Sequence, residues 1–255
     1  MHIGSGGIEL INLIVHKLLS HVHDRIAVKA DDILLASYPK SGNTWIRFIF
    51  YNLLKEKYEF PNLATFNSVN DHMHEYGQGK ITRINGVHLI KTHKAYTPLL
   101  FYPLRSLLII RNPLDCIPSF YKYQLGNEVL PEKVTFGEFL RDEKRGMKKW
   151  LSHYNSWKDR ATLCYRYEDI VHDPSQAIMK ICQQFDLGFS VAEIEQAAEM
   201  SSKESMSRVE ERYGRKNRKA DYKFVSDDRN NHYRDLYSQE DLQYLESFMA
   251  GLSIY

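Results

Sequence analysis

The chain has 255 residues, 43% hydrophobic and 26% charged, which is ordinary for a soluble globular protein and long enough for one large α/β domain with a sizeable core. A net charge of only +2 excludes a general nucleic-acid binder, so any anion site must be local. Cys116, Cys164 and Cys182 are sparse, odd in number and without Cys-x-x-Cys spacing, which excludes a disulfide framework and reads as reduced thiols in a cytoplasmic protein.

The N-terminal stretch MHIGSGGIELINLIVHKLLSHVHDRI is too short in its apolar part to cross a bilayer, and no small-residue cleavage site follows. Ile11, Ile14, Val15, Leu18 and Leu19 recur at helical spacing. The expectation is a helical segment over 1–30 packed by that face on a single domain covering 1–255, with no membrane span. A membrane-surface helix is the alternative, and few basic residues support it.

Residues 33–37 read as a buried strand and 44–55 as a helix. Residues 87–91 read as a second strand, and 106–111 (SLLIIR) as a third, nearly all apolar like a central parallel strand. Asn112-Pro113 then reads as N-cap and first position of a helix reaching about residue 124. Thr135-Phe-Gly-Glu138 and Ser190-Val-Ala-Glu193 are capping-box patterns, and 162–167 (TLCYRY) is a fourth strand. Ser238 caps a last helix that Gly251 ends. Strands alternating with helices predict an α/β three-layer sandwich with a central parallel sheet. Residues 60–85 and 123–133 fit no regular pattern and read as lids or binding loops.

The loop after the first strand, Tyr38-Pro-Lys-Ser-Gly-Asn-Thr-Trp45, sits where ligands bind in parallel sheets. The following helix offers unpaired N–H groups and a positive dipole end. Gly42 permits close approach, while Lys40, Ser41, Asn43 and Thr44 add a cation and polar side chains. These parts make a cradle for phosphate or sulfonate; a plain strand–turn–helix connection is the alternative. A Walker A loop places its lysine after the second glycine, and here the lysine precedes the glycine.

This loop resembles the 5′-phosphosulfate loop of the cytosolic-type sulfotransferases, with Asn43 where threonine is usual. Lys91-Thr92-His93 is similar to the family's catalytic-histidine segment, Arg111-Asn-Pro-Leu-Asp115 with Ser119 to its 3′-phosphate site, and Tyr167-Glu168-Asp169 to the segment whose tyrosine lies near the adenine. The four matches occur in the family's order over residues 38–169.

The resemblance implies a P-loop-like strand–loop–helix and sulfonate transfer from 3′-phosphoadenosine 5′-phosphosulfate (PAPS) to a hydroxyl or amine of a small-molecule acceptor, with no metal. His93 is the expected general base, since a histidine titrates near working pH. Lys40 is expected at the bridging oxygen and the backbone donors of 41–45 at the 5′-phosphate. Lys91 either assists at the sulfonate or is an ordinary strand-end lysine. Arg111 and Ser119 are expected at the 3′-phosphate, the alternative for Arg111 being a salt bridge to Asp115 or another carboxylate. Trp45 and Tyr167 are expected near the adenine, with a core position open for Trp45.

The family's closing Arg-Lys-Gly and Gly-Asp-Trp have two candidate registers. In the favoured one, Arg215-Lys216-Asn217 and Ala220-Asp221-Tyr222 stand for them; in the other, Asn231-His232-Tyr233 stands for Gly-Asp-Trp and Ser226 for the arginine. His72-Met73-His74 reads as a surface loop. Tyr58, Phe60, Phe66, Tyr76, Tyr121 and Tyr123 are candidates for an aromatic acceptor wall, or else core or surface residues. A P-loop-like metabolite kinase and a non-catalytic nucleotide-binding relative are the competing readings. Oligomeric state is open.

Overall fold

A computed structural model describes residues 5–58, 60, 61, 63–81, 88–216, 223–225, 232–250 and 252. Four parallel strands, β1 (Ile33–Ser37), β2 (Leu89–Thr92), β3 (Arg105–Ile110) and β4 (Leu163–Arg166), form one sheet in the order β2-β1-β3-β4. β1 and β3 are central, with Leu35 opposite Leu107 and Ser37 opposite Ile109. Successive side chains of a strand point to opposite faces, and these strands are apolar on both. Ile33, Leu35, Leu107 and Ile109 join one hydrophobic core; Leu34, Ala36, Leu108 and Ile110 join the other.

Helices cover both faces. α1 (Ser5–Ala27) precedes the sheet. α2 (Asn43–Leu54) and α3 (Phe66–His72) lie between β1 and β2, and α4 (Pro98–Phe101) between β2 and β3. α5 (Pro113–Gly126), α6 (Phe136–Arg141) and α7 (Met147–Trp157) connect β3 to β4. After β4 come α8 (Tyr167–His172), α9 (Pro174–Gln184), α10 (Val191–Met200) and α11 (Lys203–Tyr213), then a 3-10 turn (His232–Leu236) and α12 (Gln239–Met249). α2, α3 and α8–α11 pack in the core of Leu35; α4–α7 and α12 pack in that of Leu34. The chain leaves β1 toward one face and β3 toward the other, which opens a crevice at their carboxyl ends.

The boxes at Thr135/Glu138 and Ser190/Glu193 form as expected from their spacing, Ser238 caps the last helix in a further box with Asp241, and the Asn112 side chain accepts from Leu114 N. Gly251 and Val87 lie outside the described residues. Residues 60–85 are not one irregular loop: α3 starts on a box in which Thr65 Oγ1 accepts from Ser68 N and Ser68 Oγ accepts from Thr65 N. Residues 123–126 belong to α5. Pro118 inside α5 has no N–H for Leu114 O, and the Tyr237 hydroxyl donates to that carbonyl instead, at 3.2 Å.

α1 docks the opposite way from the expected one. Ile14, Val15, Leu18 and Leu19 are 47–62% exposed, and the polar face meets the body. Asp24 is fully buried there and accepts from Gly77 N at 2.6 Å and Gly79 N at 3.1 Å. His21 Nδ1 donates to Lys17 O, so its Nε2 accepts from Lys94 Nζ at 2.7 Å. Three-residue and four-residue spacing identifies a stripe but not what it faces. Here backbone donors needing a buried acceptor decide the orientation. No described helix is long and apolar enough to cross a membrane.

Candidate active site

The loop after β1 turns on two left-handed residues, Lys40 at φ 65° and Gly42 at φ 90°. Glycine takes this conformation freely; lysine takes it at a cost, a strain that recurs at ligand-holding sites. Gly42 is also held by space: a methyl group there would run into the Tyr167 ring. No side chain caps α2 at Gly42, so the first-turn N–H groups keep their capacity for an anion, and the helix dipole adds to it.

Lys40, Gly42, Asn43, Thr44, Trp45, Lys91, His93, Arg111, Ser119, Tyr167, Arg215 and Lys216 line one cavity of about 1590 Å³. Residues 38 to 216 of the sequence are thereby brought to the carboxyl end of the sheet. Ser41 is the exception: it is fully buried beneath the loop and its N–H donates to Tyr38 O at 3.3 Å. Its side chain is buried between two left-handed neighbours. Asn43 is on the wall, but its amide donates to Leu35 O at 3.3 Å and Ser37 Oγ at 3.1 Å, which leaves its backbone N–H as the donor for a ligand.

At the cradle end, Arg111 Nη1 donates to Lys40 O at 2.9 Å and the guanidinium lies 4.7 Å over the Tyr167 ring. Arg111 Nε is buried without a protein partner, a donor that an anion would complete. Arg111 makes no ion pair to Asp115; Glu168 Oε1 accepts from Asn112 N at 2.9 Å and ties the start of α8 to the loop after β3. Trp45 stands edge-on to Tyr167 at 6.0 Å and its Nε1 donates to Ser201 O at 3.0 Å. Ser119, buried on α5, opens to the cavity.

Lys40 Nζ sits 3.6 Å over the Phe224 ring, and its pKa is lowered to about 7 by burial and by the cations Arg215 and Arg111. Arg215 packs on Phe224 and pairs with Glu210 at 3.8 Å, while Lys216 pairs with Asp71 at 3.5 Å. Tyr233 of the competing register also lines the cavity. Asn217, Ala220, Asp221, Tyr222, Ser226 and Asn231 lie outside the described residues.

At the other end, His93 Nδ1 lies 2.7 Å from Ser37 O. A carbonyl only accepts, so Nδ1 carries the proton and the neutral ring keeps a lone pair on Nε2. Burial, with Lys91 next, lowers its pKa to about 4, so the ring is neutral at neutral pH. Lys91 Nζ pairs with Glu75 at 2.9 Å. Arg47, buried on α2, donates to Val69 O, Asn70 Oδ1 and Met73 O and so holds the end of α3. Arg47, Glu75 and Phe224 are cavity residues that the motifs did not point to. A lone arginine in the apolar run IRFIF was the available signal for Arg47.

Of the six aromatic candidates only Phe66 and Tyr123 line the cavity. Tyr76 and Tyr121 are core residues, and Tyr58 and Phe60 pack against the core of α2. Met73 of the His72-Met73-His74 stretch is buried and lines the cavity, while His72 Nδ1 donates to Ser68 O at 2.8 Å. Among the described residues no three His, Cys, Asp or Glu side chains gather as a metal site.

The molecule is thus an α/β protein whose sheet crevice joins an anion cradle to a neutral imidazole. The family model described as "Sulfotransferase domain" matches residues 30–235, and the chain belongs to this family. Human sulfotransferase 1C2 is 28% identical over 176 residues, covering 61% of this chain and 58% of that protein. Zebrafish sulfotransferase 6B1 is 25% identical over 199 residues, covering 71% and 65%. The chain therefore spans 58% of the length of the human relative. Mouse sulfotransferase SULT7A1, solved with adenosine 3′,5′-bisphosphate (PAP), superposes with a TM-score of 0.65 at 19% identity, over 88% of this chain and 84% of that one. Retinol dehydratase, solved with retinol and PAP, gives 0.65 at 16% identity, over 88% and 81%.

Proposed function

We propose that the chain is a sulfotransferase that moves a sulfonate group from PAPS to a hydroxyl or amine of a small-molecule acceptor, with His93 as general base. The observation that carries this reading is the tautomer of His93: Nδ1–H is committed to Ser37 O, so Nε2 is the atom available to take a proton. The same cavity carries Lys40, Arg111 and the open start of α2 at its other end. Family membership and the PAP held by two structural neighbours support the donor.

In the proposed reaction the acceptor oxygen or nitrogen attacks sulfur and its proton passes to His93 Nε2. The bond from sulfur to the bridging oxygen breaks, and the electron pair leaves with the 5′-phosphate of PAP. Lys40 and the backbone N–H groups of the α2 start bear that growing charge, a preorganised electrostatic contribution that needs no covalent enzyme intermediate. Arg111 and Ser119 hold the 3′-phosphate, and Tyr167 with Trp45 flanks the adenine. Arg215 and Lys216 close the site.

The test is transfer of radiolabel from [35S]PAPS to a panel of phenols, alcohols, sterols and amines. Wild-type chain should label at least one acceptor, and His93→Ala should lose roughly 10²-fold or more in turnover while still binding PAP. Labelling by His93→Ala at the wild-type rate would remove the histidine from this role.

A further inference from the structure

Beside β2 the sheet gains one more rung. Glu75 and Lys91 form an isolated parallel bridge, in which Tyr76 N donates to Lys91 O at 2.8 Å and Lys91 N to His74 O at 2.9 Å. His93 directly follows the end of β2, and Lys91 and His93 both line the cavity. Glu75 reaches the same wall. Its Oε2 lies 2.9 Å from Lys91 Nζ and accepts from Gln78 Nε2 at 3.3 Å. Its backbone is pinned from two directions, by Lys91 and by Asp24 of α1, which takes the N–H groups of Gly77 and Gly79.

Several charged or titratable groups act on His93. Lys91 on β2 and Arg47 on α2 are cations that disfavour imidazolium; Glu75 on the bridge segment is the anion that favours it. The Ser37 carbonyl on β1 accepts from Nδ1, and His153 on α7 is buried and neutral. We propose that Glu75 is a positioning residue of the transfer reaction, holding Lys91 against the cavity wall and placing a negative charge where His93 takes up the acceptor's proton. The catalytic part of this rests on the sulfotransferase reading; the charge relation between Glu75, Lys91 and His93 does not.

Without the carboxylate, Lys91 loses its pairing with Glu75, and the cations Lys91 and Arg47 act on the imidazole without that opposing charge. The ring then becomes a weaker base, and a weaker base takes the proton less effectively in the transition state. Glu75→Gln keeps the shape and the backbone rung while removing the charge. Two readouts decide the matter: the titration midpoint of His93, followed by NMR of [13C]histidine-labelled protein free and with PAP, and the acid limb of kcat against pH.

The expected result for Glu75→Gln is a His93 midpoint about one unit lower, a fall in kcat of about tenfold, and an unchanged KM for PAPS. Lys91→Gln should move the midpoint upward, and the double variant, in which the two opposed shifts offset each other, should lie between the single variants. If Glu75→Gln does not fold, the upward shift in Lys91→Gln still has to appear. An unchanged midpoint in a folded Glu75→Gln chain overturns the proposal. So does a variant whose only defect is a raised acceptor KM, since that makes Glu75 an acceptor contact. A wild-type chain that transfers no sulfonate, yet shows the NMR shifts, overturns the sulfotransferase reading and not the charge relation.

Discussion

Lys40 gives the sharpest quantitative handle on the site. Burial and the neighbouring cations Arg215 and Arg111 lower the pKa of its ammonium to about 7. A dianionic 5′-phosphate arriving at the α2 start reverses that balance and returns the pKa toward the ordinary lysine value near ~10.4. At pH 8 an amine titrating at about 7 is only ~10% protonated, so binding of PAP must take up about 0.9 proton. At pH 6 the uptake from Lys40 falls to about 0.1, and affinity should drop by up to roughly tenfold per pH unit above 7. Isothermal titration calorimetry at pH 8 in buffers of different ionisation enthalpy reads the uptake as a slope. The ligand's phosphates contribute little there, since their second ionisation lies near ~6. Lys40→Met should abolish the slope. A wild-type slope near zero, or one retained in Lys40→Met, would refute the placement of Lys40 against the phosphate.

Three further outcomes are expected. Gly42→Ala should lose PAP binding and stability together, because the methyl group meets the Tyr167 ring and the backbone is left-handed; a native melt with intact binding would show that Tyr167 can move aside. Asp24→Ala removes the acceptor of the half-buried N–H groups of Gly77 and Gly79 and should cost ~2 kcal/mol, seen as a melting temperature lower by about 4–8 °C. His153, 2% exposed with Nε2 unpartnered, is held neutral with a pKa of about 3. Its folded pKa lies below its unfolded one near ~6.5, so the unfolded chain binds the extra proton. The stability it contributes is complete above pH ~6.5 and falls by about 1.4 kcal/mol per pH unit between ~6 and ~3. Urea melts at pH 7 and pH 5 should show a smaller difference in His153→Leu than in the wild-type chain.

The strands and most caps were legible because their signals are local. Ser190 with Glu193 three residues on, or SLLIIR bounded by polar residues, needs no tertiary information to be read. The cradle was legible for the same reason, since a loop with Lys40 and Gly42 between a strand and a helix has few other uses. Ser41 and Asn43 were read by residue type, whereas their side chains answer to backbone conformation and to buried partners on β1. α1 was legible as a helix but not in orientation, because the acceptors for Gly77 and Gly79 N–H are set by contacts more than 50 positions away in sequence. Glu75 had no motif at all; only the bridge to Lys91 brings it to the cavity. The aromatic residues show the converse limit. Composition could not tell Tyr76, a core residue, from Tyr123, a wall residue.

The most direct test of the central claim is melting temperature with and without PAP, set beside ATP with magnesium. At a hundred times its dissociation constant a ligand adds about 2.7 kcal/mol, an upward shift of about 5–10 °C for a chain of this size. The expected result is that shift with PAP, lost in Lys40→Met and Arg111→Ala. No shift with PAP, and a clear one with ATP and magnesium, would contradict the PAPS site and make the cavity that of a kinase.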